Sequence, residues 1–352
     1  MPDRWISLHA FHRTDTDLLL GTAVHGLVRE LDERLDRFFF LRYWEGGPHL
    51  RLRLLPRVPG DATTIEKRAT AVLQEHLAAH PTTDPWDREG YALLAREFAG
   101  REGMDTYDRR LRPDDHVEAV AYRPEYATFG GPEAIAAVER HFTDSSRIAL
   151  AILRGEHDHR RRLGHALSAM MLALIAWEPD PRRLGPLLAG ERDRWDPAPA
   201  RARQVEIFTR QREALTAQAE RCRLIAARAV SSQNHATAGR SVGGPSFGGV
   251  LDTGDTYDSP GAWWRSVDTL HRRLVALQRA GRFSPVRAQG AFRTSGAVDA
   301  PADTDRHDIL SVLDRCVHLF CNRLGLSIAE EAHLRYLTAV TLEGAARCEE
   351  TS

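Results

Sequence analysis

The sequence predicts an α+β fold, in which a small antiparallel sheet formed mainly by the N-terminal part packs with a largely helical remainder. Two observations lead to this prediction. Alternating apolar and polar residues occur in the first third of the chain, in residues 4–12, 37–54 and 114–125. From residue 131 onward, most segments instead carry apolar residues at the i, i+3 and i+4 spacing of an amphipathic helix.

The first strand is predicted in "RWISLHAFH", with Trp5, Ser7 and His9 on one face and apolar residues on the other. A helix follows in residues 13–37, behind Thr and Asp residues that can cap it. A second helix is expected over residues 61–79, and the strand in "DDHVEAVAYRPE" ends at Pro124.

Between these helices, "RFFFLRYWEGGPHLRLRL" predicts a β-hairpin. If "EGGP" is a four-residue loop, Trp44 faces His49, Arg42 faces Arg51, and Phe40 faces Arg53. We therefore expect Arg42, Trp44, His49, Arg51 and Arg53 to share one face of the hairpin, with leucines and Tyr43 on the other.

Arginines that face one another lower stability unless a carboxylate or a bound anion lies against them. Acidic residues of the fold, for example Glu118 or Glu125, are one source of that charge. A basic, aromatic-lined floor for a carboxylate, a carboxamide or a developing oxyanion is the other. The spacing of the residues does not choose between the two.

The remaining chain reads as successive helices. "GPEAIAAVERHF" and "SSRIALAILRG" are predicted as two helices separated at "TDSS", where Ser145 and Ser146 can act as caps. Further helices are expected over 160–177, 199–230, 262–281 and 305–325, and Ser327 with Glu330 forms a capping box for the last one. Residues 231–261 are dense in Gly, Ser and Thr, which indicates a flexible insertion or a lid.

Composition excludes several classes of function. The 48 basic and 49 acidic residues nearly cancel, so neither nucleic acid nor an anionic membrane is expected as a partner. Four cysteines without paired spacing indicate a reducing cytoplasm, and neither a signal peptide nor a membrane-spanning run is seen. His157, His159 and His165 lack the spacing of a zinc site, and no nucleotide-binding motif occurs, so we expect no metal and no cofactor.

One helix near the C-terminus carries a further candidate site in "DRCVHLFCNRLG". His318 and Asn322 are i, i+4 neighbours and share a face, with Arg323 about 100° further round. A lone His on an apolar helix is usually a core residue. Beside Asn and Arg near a helix end, His318 is a candidate proton donor or acceptor.

Four stretches together resemble a known family: "WISLHAFH", "FFFLRYWEGGPHLRLRL", "YRPEYATFGGPEAIAAVERHFTDSS" and "VHLFCNRLGLSIAEE". In this order they are similar to the thiopeptide-type bacteriocin biosynthesis proteins, relatives of the elimination domain of lantibiotic dehydratases. The resemblance implies one elimination-like domain over 1–352, no cofactor, and a ribosomally made precursor peptide as the partner. It also allows a homodimer.

Two activities occur in this family. Glutamate elimination converts a glutamylated Ser or Thr to a dehydroamino acid. Pyridine synthesis joins two dehydroalanines of a thiazole-containing peptide in a formal aza-cycloaddition, with loss of water and of the leader peptide as a carboxamide. Elimination domains typically carry a second histidine where this chain has Phe320, so we expect pyridine synthesis. Elimination is the alternative, and non-catalytic peptide binding is the second alternative.

The resemblance also assigns roles to residues. His318 is expected to transfer protons, the arginines to form a floor for substrate, and His49 is open between a structural and a substrate-binding role. The predicted catalytic residues are Arg42, Arg51, Tyr122, Glu125 and His318. The predicted substrate-binding residues are Trp44, His49, Arg53, Tyr126, Ser145, Ser146, Asn322 and Arg323.

Overall fold

The computed structural model describes residues 5–102, 105–155, 158–184, 188, 198–236, 258–286 and 301–350. These residues form two compact units. The first, here called the sheet unit, consists of Met1–Pro124 and Ala149–Gly155. The second, the helical unit, consists of Glu125–Ile148 and Glu156–Ser352. The predicted α+β class is confirmed, because the sheet lies in the N-terminal part and the rest is helical.

The sheet unit contains one antiparallel sheet in the order β2-β3-β1-β4 among the described residues. Its strands are β1 (Ile6–Phe11), β2 (Leu35–Tyr43), β3 (His49–Pro56) and β4 (His116–Ala119). The helices of this unit are α1 (Thr16–Leu19), α2 (His25–Glu30), α3 (Ala62–Ala79) and α4 (Arg88–Glu102), with a π-helical turn at Leu20–Val24 between the first two. Strand β1 therefore lies at the centre of the sheet, between β3 and β4.

One face of the sheet is apolar and buried. Ile6, Leu8 and Ala10 of β1 pair with Leu54, Leu52 and Leu50 of β3, and all six are at most 5% exposed. Because side chains alternate along a strand, Ser7 and His9 lie on the opposite face, as predicted. Helix α3, whose apolar face includes Ile65, Ala69 and Leu73, packs near β1, β3 and β4.

The helical unit is built around a buried central helix. Its helices are α5 (Tyr126–Phe129), α6 (Pro132–Gly155), α7 (His159–Trp177), α8 (Ala198–Ala236), α9 (Ser259–Arg279), α10 (Pro301–Leu324) and α11 (Ile328–Glu350). The C-terminal part of α6, Ala149–Gly155, belongs to the sheet unit. The C-terminal half of α7, from Ala166 to Trp177, is buried throughout. Helices α8, α9, α10 and α11 all pack against α7, which explains why its sequence is apolar on every side.

The predicted break at "TDSS" is wrong, because α6 runs without interruption through these residues. Both serines are fully buried. Ser145 donates its hydroxyl hydrogen to the carbonyl of Phe142 three residues earlier, at 3.2 Å, and Ser146 accepts from Arg323. Their hydroxyls are satisfied inside the helix and by a neighbouring helix, so they do not compete for the backbone.

The ends of the predicted insertion are helical. Helix α8 continues to Ala236, and α9 begins at Ser259 after an Asp258 cap whose carboxylate accepts from the amide of Gly261. Residues 237–257 lie outside the described residues, so the predicted lid stays a prediction. The predicted capping box is confirmed, since Glu330 accepts from the amide of Ser327 at 2.8 Å.

Candidate functional site

The hairpin register differs by one residue from the predicted one. Tyr43 pairs with His49, Leu41 with Arg51, and Phe39 with Arg53, so the connecting loop has five residues, 44–48. Gly46 and Gly47 both have positive φ angles, +83° and +111°, which a side chain would disfavour. The turn therefore includes both glycines, and Trp44 belongs to the loop instead of to the end of β2.

Trp44 and the loop are held by an aromatic cluster. Trp44 is buried with Tyr91, Ala95 and Ala99 of α4. The Tyr91 hydroxyl accepts a hydrogen bond from the amide of Gly46 at 2.7 Å. Burial of the indole and this hydrogen bond favour the observed register over the predicted one.

The register moves two predicted floor residues away from the others. Arg42 pairs with Leu50 and therefore lies on the opposite face of the sheet, where its guanidinium donates to the carboxylate of Asp17. Trp44 belongs to the aromatic cluster. The prediction that Arg42 and Trp44 share a face with Arg51 and Arg53 is therefore wrong.

The face opposite the leucines is polar and largely buried. We call it the polar face and define it by Ser7, His9, His49, Arg51 and Arg53. Arg51 and Arg53 lie across from His9 and Ser7 respectively. Ser7, His9, His49 and Arg53 are each at most 7% exposed. Strand β1 thus contributes two residues to this face that the hairpin alone did not indicate.

Each histidine of the polar face accepts a hydrogen bond from an arginine. His49 Nε2 accepts from Nε of Arg51 at 3.2 Å, while its Nδ1 donates to the Gly47 carbonyl at 2.8 Å. His9 Nε2 lies 3.2 Å from Nη2 of Arg53. The two imidazoles stack with their centroids 4.8 Å apart.

Within the polar face the two histidines and Arg53 have different charge states at neutral pH. Burial, followed by the charge of Arg53, lowers the pKa of His9 to about 2. Burial is also the main cause that lowers the pKa of His49 to about 3, with the charge of Arg51 adding to it. Burial and then Arg51 lower the pKa of Arg53, but only to about 10. At neutral pH the imidazoles are therefore neutral acceptors, and Arg53 stays charged.

No carboxylate among the described residues pairs with Arg53. Its Nη1 and the Oγ of Ser7 are buried without a hydrogen-bond partner. Glu118, which the sequence suggested as a negative charge to neutralise the arginines, instead lies 3.4 Å from Arg112. Glu125 is exposed and belongs to the helical unit. A buried charged group in this state favours an oxygen ligand, above all a negatively charged one.

Arg51, unlike Arg53, has a carboxylate nearby in the described part of the chain. Its guanidinium carbon lies 3.3 Å from the ring centroid of Tyr43, and Glu45 is 3.7 Å from Nη2. Its side chain is 23% exposed. Arg51 is therefore a cation that aromatic and acidic neighbours hold in place.

Tyr122 contributes an aromatic surface beside Arg53. The guanidinium carbon of Arg53 is 5.5 Å from the Tyr122 ring centroid. Tyr122 also contacts Trp5 and Phe39 edge to face, at 5.6 and 5.8 Å. Tyr122 therefore lies beside Arg53 within the sheet unit, and its predicted catalytic role stays a prediction.

The helical unit holds a second candidate site around His318 of α10. His318 Nδ1 lies 2.8 Å from Glu331 Oε2 of α11. The side chain of His318 is 52% exposed, whereas that of Glu331 is 8% exposed. Among the described residues, Nε2 of His318 has no hydrogen-bond partner. The ring is thus anchored at one nitrogen and accessible at the other.

The electrostatics favour a charged His318. Desolvation lowers the pKa of His318, but the hydrogen bond and charge of Glu331 outweigh it, so the pKa is raised above its usual value. Burial would raise the pKa of Glu331, yet His318 and Arg335 hold it well below its usual range. A histidine of this kind is protonated over a wider pH range and can act as a proton donor.

Other predicted site residues of the helical unit lie in its core. Arg323 is fully buried and donates from Nε to Ser146 Oγ at 3.0 Å. Its guanidinium carbon lies 4.9 Å from the ring centroid of Phe142. Asn322 is half-buried, and its carbonyl accepts from the amide of Gly325. Arg323 and Ser146 therefore bind each other inside the core, Ser145 is buried next to Ser146 in the sequence of α6, and the predicted contact of all three with substrate stays a prediction.

Glu125 and Tyr126 lie at the start of α5. Glu125 occupies the cap position and is exposed, and Tyr126 is 46% exposed. Their side chains are accessible, which a substrate-orienting role would require. The structure adds no direct contact that assigns them such a role.

A cavity lies beside the His318 site. It has a volume of about 40 Å³ and is lined mostly by apolar side chains of α7, α10 and α11, together with the charged residues Asp314 and Arg335. Within the described ranges, no three His, Cys, Asp or Glu residues are placed to bind a metal ion, and His159 instead contacts Glu330. His157 lies outside the described residues. No helix of the described parts is long and apolar enough to cross a membrane.

Sequence reasoning missed Glu331 as the partner of His318, and Arg335 and Asp314 as the residues that hold Glu331. Glu331 is 13 positions from His318 and belongs to another helix, so no local spacing connects the two. It also missed Ser7 and His9 as neighbours of the arginines. Their shared face was visible in the alternation of β1, but the pairing of β1 with β3 was not.

Comparison with known structures supports the fold. "Pyridine synthase, TbtD, from thiomuracin biosynthesis" is similar with a TM-score of 0.66 at 19% sequence identity, over 99% of this chain and 100% of that chain. TsrL is similar with a TM-score of 0.60 at 20% identity, over 97% of this chain and 94% of that one. All of these identities are low, so the similarity establishes a shared fold.

A larger enzyme contains the same fold as one part. The tRNA-dependent lantibiotic dehydratase MibB from Microbispora sp. 107891 is similar with a TM-score of 0.54 at 18% identity, over 98% of this chain but only 28% of that chain. Curated proteins give no significant match. The profile of the family "Lantibiotic biosynthesis dehydratase C-term" matches residues 5–342. The chain therefore belongs to this family, as the four sequence motifs predicted.

Proposed function

We propose that this protein is a pyridine synthase that cyclises a ribosomally made precursor peptide containing two dehydroalanines. The observation that carries the proposal is the degree of structural similarity. The TM-score is 0.66 with the pyridine synthase TbtD and 0.54 with the lantibiotic dehydratase MibB. Phe320, in place of the second histidine of elimination domains, points in the same direction.

The reaction asks little of the protein beyond positioning and proton transfer. Two dehydroalanines must be held in a folded-back conformer, and one amide must react as its tautomer. Water and the leader carboxamide then depart, and both departures need a proton. A histidine whose pKa is raised by a carboxylate, as in His318, suits the role of this acid.

The polar face supplies groups for binding. Arg53 and Ser7 offer buried donors without partners, which suit a substrate oxygen that gains negative charge during the reaction. His9 and His49 remain neutral there, so they do not add repulsion between cations. We assign Arg51, Arg53 and Tyr122 to substrate binding and His318 to proton transfer.

Glutamate elimination is the second candidate, and one observation favours it. The same unpartnered Nη1 of Arg53 would bind the carboxylate of a leaving glutamate, because guanidinium and carboxylate groups match in charge and geometry. In that reaction His318 would remove the α-proton instead of donating one.

Two substrates distinguish the candidates. The purified protein is incubated separately with a thiazole-bearing peptide that contains two dehydroalanines and with a glutamylated precursor peptide, and products are identified by mass spectrometry. We expect a macrocycle and a free leader carboxamide from the first peptide and no glutamate from the second. Glutamate release without cyclisation supports elimination. If neither peptide gives a product, the result supports the non-catalytic peptide-binding alternative.

Matched variants connect the activity to residues. His318→Gln and Arg53→Gln are expected to lose most of the activity. His159→Gln changes a histidine of similar exposure, 50%, and Arg57→Gln changes an exposed arginine just past the end of β3. Both controls are expected to retain it. Equal losses in the variants and their controls would contradict the assigned roles.

A further inference from the structure

Glu331 divides its two carboxylate oxygens between two partners. Oε2 lies 2.8 Å from Nδ1 of His318. Oε1 accepts from Nε and Nη2 of Arg335, at 3.0 and 2.8 Å. The side chain of Glu331 is only 8% exposed, so both contacts form where water screens them little. The orientation of this carboxylate is thereby fixed from both sides.

The other end of Arg335 is also held. Its Nη1 pairs with the carboxylate of Asp314 on α10. Asp314 and His318 are four residues apart on α10 and share a face, as Glu331 and Arg335 do on α11. The four side chains form a continuous series of contacts between two helices, from Asp314 through Arg335 and Glu331 to His318, and His318 is its only strongly exposed member.

A second His–Glu pair of the same unit, His159 with Glu330, differs from the His318–Glu331 pair in how its glutamate is held. His159 contacts Glu330, the residue before Glu331, and its side chain is 50% exposed. Glu330, however, is 34% exposed and serves the capping box with Ser327. No arginine anchors Glu330 in the described residues, and its position is therefore set by the helix end.

We propose that Glu331 is a positioning residue for proton transfer by His318: anchored by Arg335 and Asp314, it binds Nδ1 of the imidazole and leaves Nε2 for the substrate. This inference rests on the role proposed above for His318. The proton that is transferred is the one on Nε2, and it goes to the departing oxygen or nitrogen. The proton on Nδ1 stays hydrogen-bonded to Glu331, so the neutral ring that remains has a defined tautomer.

A purely structural role explains the pair less well. A contact that is half exposed on one side contributes little stability, and Arg335 with Asp314 would hold the two helices without His318. Glu331, by contrast, favours the charged ring, which raises the pKa of His318. The groups that face His318 are Glu331 and Arg335 from α11 and Asp314 from its own helix.

The positioning role is tested first without any substrate. The pKa of His318 is measured by NMR titration of histidine ring nitrogens, with His318→Gln identifying its signal. In Glu331→Gln we expect the pKa of His318 to fall and the preference for the Nδ1–H tautomer to weaken. The matched control is Glu330→Gln, in which the His318 signal should titrate as in the unmodified protein.

Activity gives the second readout. As an acid, His318 loses its proton as pH rises, so the rate should fall above its pKa. In Glu331→Gln this fall should begin at lower pH, with a loss of about 10- to 100-fold in kcat and little change in KM. Glu331→Asp keeps the charge and should restore part of the rate. If Glu331→Gln does not fold, Glu331→Asp is used in the titration, where the shorter side chain lies farther from Nδ1 and should lower the pKa of His318 by a smaller amount.

The outcomes separate the two proposals. A folded Glu331→Gln protein in which His318 titrates and reacts as before refutes the positioning role. An equal pKa change in Glu330→Gln refutes it as well, because the effect would then be one of general charge. Full activity in His318→Gln instead refutes the proposed role of His318 in catalysis.

Discussion

Replacing Arg53 with methionine should stabilise the protein while it removes activity. Burial lowers the pKa of Arg53 from 12.5 to about 10, which corresponds to roughly 3 kcal/mol less favourable placement of the charge in the folded state. This cost is present at every pH below about 10 and is relieved only above it. A methionine, which is uncharged and of similar length, does not have this cost of burying a charge.

Two favourable contacts are lost in the same variant. The hydrogen bond to His9 and the contact with the Tyr122 ring contribute about 1 kcal/mol each. The balance is a gain of about 1 kcal/mol in the free energy of unfolding. Substrate binding should fail at the same time, because the guanidinium is gone.

Arg335→Met is the matched control with the opposite sign. Arg335 is also a buried arginine, 10% exposed, but Asp314 and Glu331 both pair with it. Its removal leaves the buried Glu331 with only His318 as a partner and the partly buried Asp314 without its arginine, and should cost about 3–5 kcal/mol. Urea unfolding followed by circular dichroism measures both variants. An Arg53→Met protein that unfolds at a lower urea concentration than the unmodified protein would refute the reasoning about Arg53.

Two further predictions concern the pH dependence of stability and one glycine. Because burial lowers the pKa of His9 and of His49 to about 2 and about 3, the unfolded chain takes up protons below about pH 6.5 and the folded chain does not. Stability should therefore fall as pH decreases from about 6.5 to about 3, and thermal unfolding should show a smaller fall in His49→Gln. Gly130→Ala should destabilise by about 1–3 kcal/mol, since φ is +88° and a Cβ would lie 2.5 Å from the Phe283 ring. Gly164→Ala in α7, where a Cβ meets nothing within 4 Å, should be neutral or stabilising by up to about 1 kcal/mol; the reverse order in denaturation midpoints would contradict this.

The fold class followed from local periodicity, but the hairpin register did not. The alternation of β1 gave the correct faces, because a period of two depends only on the strand itself. The register of β2 and β3 depended on Gly46 and Gly47, whose positive φ angles lengthen the loop, and on the burial of Trp44 against α4. Both are tertiary effects that the hydrophobic match between two strands does not contain.

The continuity of α6 has a similar explanation. Serines favour helix ends when their hydroxyls bond to the backbone, and this suggested a break at Ser145 and Ser146. The partner that satisfies Ser146 is Arg323, which lies 177 positions later in the chain. A contact over that separation is set by the packing of helices.

The candidate site was predictable where one residue type dictates the chemistry. His318 stood out because a histidine near a helix end can exchange protons at neutral pH. Its partner Glu331 belongs to another helix, and the sequence pattern there assigned a role only to the neighbouring Glu330, in the capping box. Arg51 and Arg53 were identified from their strand, whereas Arg42 was misplaced together with the register.

The most direct test of the proposed function is the mass of the product formed by the purified protein from a linear, thiazole-bearing peptide with two dehydroalanines. Pyridine synthesis predicts a macrocycle that has lost water and the leader peptide, together with the leader as a carboxamide. It also predicts that His318→Gln yields little of either. Unchanged linear peptide after prolonged incubation with the folded protein, or equal conversion by His318→Gln, would contradict it.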